Sequence, residues 1–279
     1  MKNILLRSIY ISILAVLTTV NPAIAQKKIY VNTDLEGISG VFKFDQTRFK
    51  DTPLNIQACE FFMADLAAVI HGLRDGGATE IIVLDGHGSQ AVLPHLMDHG
   101  ASYITGRPRP GILSGLDSTF SAMVMIGFHA MNGTPDGVLH HTQSSKTEHK
   151  YWYDGVEWGE IAQNSAIAGY YNVPTIMVTG DEATCREGKI FLGNNIITVA
   201  TKKGLSREAA QLYPFEQTRK ALYEGAKRAM SIIPDCKPFK PKFPVSAKMQ
   251  WINPDPKLPE PKVMTKEGIV TDALHVTKF

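Results

Sequence analysis

The stretch IYVNTDLEGISG, from Ile29 to Gly40, joins a short apolar run to an abrupt polar end. The run is rich in β-branched residues and stops at two carboxylates, Asp34 and Glu36, with glycines close behind them. An apolar run without alternating polar residues is typical of a strand covered on both faces, as in a parallel sheet. Because residues i and i+2 of a strand point the same way, both carboxylates can face one cleft.

Three later runs share this organisation: EIIVLD (80–85), AMVMIG (122–127) and PTIMVTG (174–180). Residues 55–77 and 158–174 carry apolar residues at helical spacing, and each segment ends at glycine, asparagine or proline. Strands that alternate with helices predict an α/β fold, with a mostly parallel sheet flanked by helices. In such folds the functional site lies outside the carboxyl ends of the strands.

The composition changes toward the end of the chain. Residues 206–233 have the pattern of one long amphipathic helix that Pro214 interrupts or starts. Eight prolines follow from Pro234 to Pro261 and favour edge strands or extended loops, so PVSAKMQWI (244–252) is a candidate strand of a smaller subdomain. We predict three parts, which are a leader (1–25), an α/β domain (26–232) and a proline-rich C-terminal segment or subdomain (233–279).

The first 25 residues have the pattern of a secretory signal peptide. A short basic start precedes an apolar run of about a dozen residues, and NPAIA ends in the small-x-small pattern of a cleavage site. This run is shorter than the roughly 18 residues that span a bilayer, although an uncleaved N-terminal anchor is the alternative. We expect an exported protein, periplasmic or secreted, without a membrane anchor once the leader is removed.

Charge and cysteine content narrow the function classes. The chain has 29 Lys and Arg against 27 Asp and Glu, and removing the leader takes away Lys2 and Arg7. The resulting neutral balance gives no support to binding of nucleic acid or a membrane surface. The cysteines at 59, 185 and 236 have no metal or redox spacing, so we expect free or buried thiols with at most one disulfide.

Two histidines follow predicted strands in the same way as the acidic pair. His87 lies in LDGHGSQ and His129 in IGFHAMNG. Asp-x-Glu alone is most often a solvated turn or helix cap, and a single histidine is most often structural. Together, Asp34, Glu36, His87 and His129 offer the oxygen and imidazole ligands of a zinc or similar transition-metal site at one edge of the sheet.

The segment that follows, residues 136–163, contains further candidates. His140, His141 and His149 could transfer protons, and Glu157 or Glu160 could add a carboxylate ligand. Acidic residues in the first turn of a helix are also favoured by the helix dipole. The spacing alone leaves these roles open.

Five motifs together resemble the DppA-type D-aminopeptidases, a zinc-dependent family known as peptidase family M55. They are TDLEGISG, LDGHGS, GFHA, GVLHHT and GEIAQNSAIAGYYNVPTIMVTGD, in the family's order and approximate spacing. The resemblance runs from about Lys28 to Asp181 and is loose beyond that point. Members of the family assemble as rings of subunits, which makes this chain a possible homo-oligomer.

The resemblance implies two Zn²⁺ ions per subunit. Its five implied ligands are Asp34, which bridges the ions, Glu36, His87, His129 and Glu160. The implied catalytic residue is His141, although His140 stands where the family has a small polar residue and is the alternative.

These implications predict a metallo-aminopeptidase that hydrolyses short peptides or amides with an N-terminal D-amino acid, such as D-alanine. The preference for D-residues rests on the resemblance alone. One alternative is another metal-dependent amidase or esterase. A second, from a different class, is a catalytically inactive periplasmic protein that binds metal or peptide.

Overall fold

The computed structural model describes residues 26–88, 90–253 and 260–279, so the predicted leader at residues 1–25 lies outside the described residues. The strands within them are β1 (Lys28–Thr33), β2 (Glu80–Leu84), β3 (Ser102–Ile104), β4 (Ala122–Ile126), β5 (Lys150–Tyr153), β6 (Val156–Glu157), β7 (Thr175–Asp181), β8 (Ile197–Ser206), β9 (Ala209–Leu212), β10 (Val245–Asn253) and β11 (Lys262–Val270). The α-helices are α1 (Pro53–Asp75), α2 (Glu160–Tyr170), α3 (Glu182–Leu192) and α4 (Phe215–Ala229).

The larger sheet has the strand order β3-β2-β1-β4-β7-β8-β9 within this part of the chain. Neighbouring strands are parallel except for the β8–β9 pair. The chain runs outward from β1 to β2 and β3, then returns to place β4 on the other side of β1. The α/β prediction is confirmed, and the reversal at β1 and β4 creates the crevice where such sheets bind ligands.

Apolar cores lie on both faces of this sheet, which explains the unbroken apolar runs. Ile29 and Val31 of β1 belong to the core beneath α1 and α4, whereas Tyr30 belongs to the core that contains Ile161 of α2. The side chain of Tyr30 is fully buried and donates a hydrogen bond to Ser114 O. Each strand residue is therefore packed whichever way it points.

Helix α1 has clear end signals. The Thr52 hydroxyl accepts a hydrogen bond from Asn55 N, Pro53 occupies the first turn, and Gly76 ends the helix. The helix is long and apolar enough to cross a membrane by length and composition alone, but 56% of its most apolar window is buried. Its apolar residues pack against the sheet, so α1 is a core helix of this fold.

A second, antiparallel sheet has the order β11-β10-β5-β6. The predicted strand near residues 244–252 is present as β10, but it pairs with β5 on one side and β11 on the other. The expectation of edge strands only was therefore wrong for β10, because Pro244 precedes the strand and leaves its N–H groups free to pair. The three-part division of the chain remains a prediction.

The long helix predicted over residues 206–233 is present only after Pro214, as α4, and the prediction was wrong for the residues before Pro214. Strand β8 extends to Ser206, residues 209–212 form β9, and α4 begins only after Pro214. The helix-favouring residues of this segment instead pair with β8, with Lys202 opposite Leu212. Tertiary pairing has overridden local propensity here.

Candidate metal centre

The carboxyl ends of three adjacent strands meet at the crevice. Asp34 and Glu36 follow β1, His87 follows β2, and His129 follows β4. The turn after β1 is tied to β4 by hydrogen bonds from Asp34 N to Ile126 O, 2.8 Å, and from Gly37 N to Gly127 O, 2.7 Å. Parallel pairing of these strands therefore brings together residues from three distant parts of the sequence.

Asp34 lies at the centre of the cluster and presents its two carboxylate oxygens to different histidines. Oδ1 is 2.9 Å from His87 Nδ1, and Oδ2 is 3.3 Å from His129 Nε2. Glu36 Oε2 is 3.0 Å from the same His87 nitrogen. Asp34 can thus contribute one oxygen to each of two neighbouring sites.

Glu160 and His141 complete the cluster from outside the strand ends. Glu160 is the first residue of α2, and its Oε1 lies 3.6 Å from His129 Nε2 and 3.8 Å from His141 Nε2. The same oxygen accepts a hydrogen bond from Gln143 N. The rings of His129 and His141 stack with centroids 3.8 Å apart.

In each of the three histidines, a backbone carbonyl faces the ring nitrogen that points away from the acids. Thr47 O lies 3.0 Å from His87 Nε2, Ala130 O lies 3.0 Å from His129 Nδ1, and Leu139 O lies 2.8 Å from His141 Nδ1. Since a carbonyl only accepts, these nitrogens carry the protons of the neutral rings. In the neutral rings the other nitrogens present lone pairs toward carboxylates, and either a second proton on the ring or a cation between the groups removes this repulsion.

Unpartnered atoms support the same interpretation. Glu36 Oε2 and His129 Nε2 are buried and make no hydrogen bond to any of the described residues. Among those residues, two groups hold their ligand atoms within 4.8 Å of one another: Asp34, Glu36 and His87, and His129, His141 and Glu160. This donor set of carboxylates and imidazoles suits zinc.

The electrostatics of the cluster reflect its concentration of buried charge. Burial opposes ionisation of Asp34, but the close approach of His129 and His87 to its two oxygens outweighs burial and holds its pKa well below the usual value. Burial likewise opposes protonation of His129, yet Glu160 and Asp34 raise its pKa to about 10. The pKa of Glu160 is raised by burial, and that of His141 is lowered by burial and by the charge of His129. The carboxylates therefore call for compensating positive charge.

The structure brings all six predicted residues together and leaves the neighbouring candidates outside. His140 Nδ1 accepts a hydrogen bond from Gly133 N, and burial lowers its pKa to about 4. His149 lies beside Tyr151, and Glu157 pairs with Lys150 Nζ at 3.3 Å. Proximity to the cluster thus separates His141 from His140. The catalytic and ligand roles remain predictions.

Sequence reasoning missed a buried lysine that supports the acidic turn. Lys202 of β8 has no exposed surface, and its Nζ donates to Glu36 O and Ile38 O, each at 2.7 Å. Burial lowers its pKa to about 8. The adjacent Thr201 donates to Gly37 O. The polar triplet TKK (201–203) of β8 is typical of a solvent-exposed segment, so the sequence carries no signal for this contact.

Glu187 of α3 is a second missed residue. It is buried, its Oε2 accepts a hydrogen bond from Met131 N at 2.6 Å, and burial raises its pKa to about 7. A Cβ at Gly159, just before α2, would lie 2.3 Å from Glu187 Oε1, so that position admits only glycine without rearrangement. Glu187 therefore packs against two backbone segments next to the cluster, at Met131 and at Gly159.

Comparison with known proteins identifies the family of this chain. A family profile described as D-aminopeptidase, Peptidase_M55, matches residues 27–256. The chain belongs to the D-aminopeptidase family. The match extends well beyond Asp181, so the family likeness includes β8 to β10. It also confirms the predicted enzyme class, a metallo-aminopeptidase.

Two relatives illustrate the relationship. A D-aminopeptidase of Bacillus subtilis (strain 168) is 31% identical over 217 residues, which is 77% of each chain. The solved structure of the Zn-dependent D-aminopeptidase DppA from Bacillus subtilis, described as a self-compartmentalizing protease, superposes with a TM-score of 0.81 at 24% identity. That match covers 90% of this chain and 94% of the other and shows the shared fold. Neither comparison favours the amidase, esterase or binding-protein alternatives.

Proposed function

We propose that this protein is a zinc-dependent aminopeptidase that removes an N-terminal D-amino acid from short peptides or amides at a dinuclear metal centre. The observation that carries the proposal is the shared geometry of His87, His129 and His141. Each ring faces a backbone carbonyl through one nitrogen and presents the other to the acids around Asp34. Family membership supplies the reaction class.

The residues divide into two ligand sets that share Asp34. Glu36 and His87 face its Oδ1 side, and His129 faces its Oδ2 side together with Glu160. Bound zinc supplies Lewis acidity, which polarises the scissile carbonyl and makes a water acidic enough to attack near neutral pH.

His141 is the proposed general acid–base. Its Nδ1 is committed to Leu139 O, which leaves Nε2 available to accept a proton from water and to deliver one to the leaving amine. A histidine in this role accelerates hydrolysis by roughly 10² to 10⁴-fold. The contact with Leu139 O and the stacking on His129 hold the His141 ring in this orientation.

The substrate proposal combines the cleft with the family. The cluster opens into a cleft of about 430 Å³, within the size range of small-molecule sites. The preference for D-residues rests on the relatives named D-aminopeptidase. An exported enzyme of this kind would meet D-alanine-containing cell-wall fragments, and these are the proposed natural substrates.

Localisation and assembly are part of the same proposal. The leader pattern supports export, with a mature chain that begins at Gln26, and N-terminal sequencing of the processed protein tests it. Because the solved relative is described as self-compartmentalizing, we also propose a homo-oligomer. Light scattering of the purified protein should then give a mass several times that of one subunit.

Metal analysis tests the centre itself. We expect two zinc ions per chain in the wild type and loss of both sites in Asp34→Ala. Asp85→Asn is a matched control, because Asp85 is another buried carboxylate at a strand end but accepts hydrogen bonds from Ala91 N, Val92 N and Thr105 Oγ1. It should lose stability and keep its zinc. Less than one zinc per chain, unchanged by Asp34→Ala, would refute the dinuclear centre.

A substrate screen tests the reaction. D- and L-aminoacyl amides and dipeptides should be assayed with added zinc and again after chelation. Zinc-dependent release of the N-terminal D-residue is the expected result. Zinc binding without hydrolysis of any member would favour the binding-protein alternative instead.

A further inference from the structure

The cleft above the metal centre changes its charge from the interior toward the solvent. Its lining includes the buried acids Asp34 and Glu36 and the exposed cations Arg107 and Lys146. A cleft that only had to bind metal would need no positive charge at its mouth. These cations are therefore suited to bind a negatively charged part of a ligand.

Arg48, a third cation in the lining, has structural partners. Its guanidinium donates to Ser145 Oγ and Ser145 O, and it stacks 3.5 Å from the ring centroid of Phe44. Arg48 thereby holds the loop that carries Lys146. Its own hydrogen-bonding capacity is largely used within the protein.

Arg107 and Lys146 have no such partners among the described residues. Neither side chain makes a hydrogen bond or ion pair with the residues that the structure describes. The loop of Arg107 is nevertheless held beside the end of β2, because Arg109 Nη1 donates to Asp85 O at 2.8 Å. Both cations thus sit on anchored loops with their charged groups available to a ligand.

The positive surface continues beyond the cleft. A second groove of about 600 Å³ shares Arg107 and Ile112 with the first and is also lined by Arg109 and the exposed Lys278. Arg107 therefore stands where the two grooves join. A ligand that leaves the metal centre in this direction remains near positive charge.

We propose that Arg107 and Lys146 bind the carboxylate of the leaving group, so that the enzyme prefers short peptides with a free C-terminal carboxylate over the corresponding neutral amides. This inference rests on the proposed aminopeptidase function. An aminopeptidase cuts after the first residue, so the leaving amine carries the rest of the peptide and its carboxylate. With the N-terminal residue at the metal centre, that carboxylate extends toward the mouth, where guanidinium and ammonium groups can pair with it.

The kinetic test compares D-Ala-Gly with D-Ala-Gly amide in the wild type and in the double variant Arg107→Gln, Lys146→Gln. We expect the variant to lose about tenfold in kcat/KM for the free acid, mainly through KM, as two partly exposed charge pairs would give. The amide should lose much less. The matched control is Lys220→Gln, Arg228→Gln, which removes the same charges from exposed positions of α4 outside both grooves.

A binding measurement separates failure of this proposal from failure of the proposed function. Zinc-loaded His141→Gln protein, with and without the Arg107 and Lys146 substitutions, should be titrated calorimetrically with both ligands. If the free acid binds more tightly than the amide, and the two substitutions abolish this difference, the proposal is supported. This holds even if the wild type hydrolyses neither compound, a result that would refute only the proposed peptidase activity. The proposal would be overturned if the wild type bound and hydrolysed the free acid and the amide equally well. It would also be overturned if the Lys220 and Arg228 control lost as much kcat/KM for the free acid as the Arg107 and Lys146 variant.

Discussion

His140 and His141 are neighbours in the chain, but they have different surroundings. His141 stacks on His129 and faces Glu160, whereas His140 Nδ1 accepts from Gly133 N. The chain therefore offers a matched pair of substitutions for the proposed proton-transfer step. Only the histidine within the cluster should affect hydrolysis directly.

We expect His141→Gln to lower kcat for a D-aminoacyl amide by roughly 10² to 10⁴-fold with zinc content retained. His140→Gln should keep kcat within about threefold of the wild type, because glutamine can still accept from Gly133 N. Steady-state kinetics and metal analysis on the same preparations show which histidine is needed for hydrolysis and whether either is needed for zinc binding. The opposite ranking would move the catalytic role to His140, and loss of zinc in His141→Gln would make His141 a ligand.

Glycine has a steric role at the end of β4. Gly127 has a φ of +73°, and a Cβ there would lie 2.2 Å from Asp34 O. Gly155 has a similar φ of +79° with nothing within 4 Å of its hypothetical Cβ. A substitution at Gly155 therefore measures only the cost of placing a side chain on a backbone with positive φ. The same substitution at Gly127 adds the steric clash with the turn that carries Asp34.

Gly155→Ala should therefore cost about 1–2 kcal/mol of unfolding free energy, the usual penalty of a left-handed backbone. Gly127→Ala should cost about 4 kcal/mol, since alanine there must also displace Asp34 or β4. Chemical denaturation of both variants gives the difference. Similar losses in the two would show that the ends of β1 and β4 can move apart easily.

At the scale of elements, β8 supports the turn after β1 although the two strands are not neighbours in the sheet. The Lys202 ammonium donates to the carbonyls of Glu36 and Ile38, and β4 and β7 lie between the two strands. The position of Glu36 thus depends on a residue far away in sequence. Lys203, the next residue, is exposed and serves as its control.

Lys202→Met should destabilise the protein by about 2–4 kcal/mol, because buried carbonyls lose their donor. It should also weaken zinc binding by roughly 10- to 100-fold, as loss of support behind a ligand usually does. Lys203→Met should stay within about 0.5 kcal/mol and bind zinc normally. Denaturation and competition with a chelator measure the two effects, and normal zinc affinity in Lys202→Met would limit Lys202 to a structural role.

Sequence patterns predicted some of these strands and side-chain positions correctly and failed to predict others, and the difference has a physical cause. The strands β1, β2, β4 and β7 were predicted because burial on both faces leaves an unbroken apolar run. Strand β9 was missed, because Ala209–Leu212 favours a helix locally and becomes a strand only by pairing with β8. The six site residues could be found from strand ends and motifs, but Lys202 could not, since its burial depends on long-range packing.

At the scale of the whole molecule, the C-terminal segment is joined to the α/β part through the second sheet. β10 pairs with β5, and Tyr153 Oη donates to Val276 O at 2.5 Å. Val245, Val270 and Val276 share an apolar core with residues of α2. The chain between His141 and Glu160 also runs through β5 and β6, so the second sheet links directly to the candidate metal centre.

We therefore expect a chain that ends at Ile232 to be insoluble or to lack a cooperative unfolding transition. It would expose the β5 edge and the side of the core that the C-terminal valines cover, and the path from His141 to Glu160 would lose its support. A chain of residues 26–279 should unfold in one calorimetric transition, because both sheets share that core. A soluble truncated chain that binds zinc and unfolds cooperatively would show that residues 233–279 form a separate unit, as the predicted division at residue 232 implies.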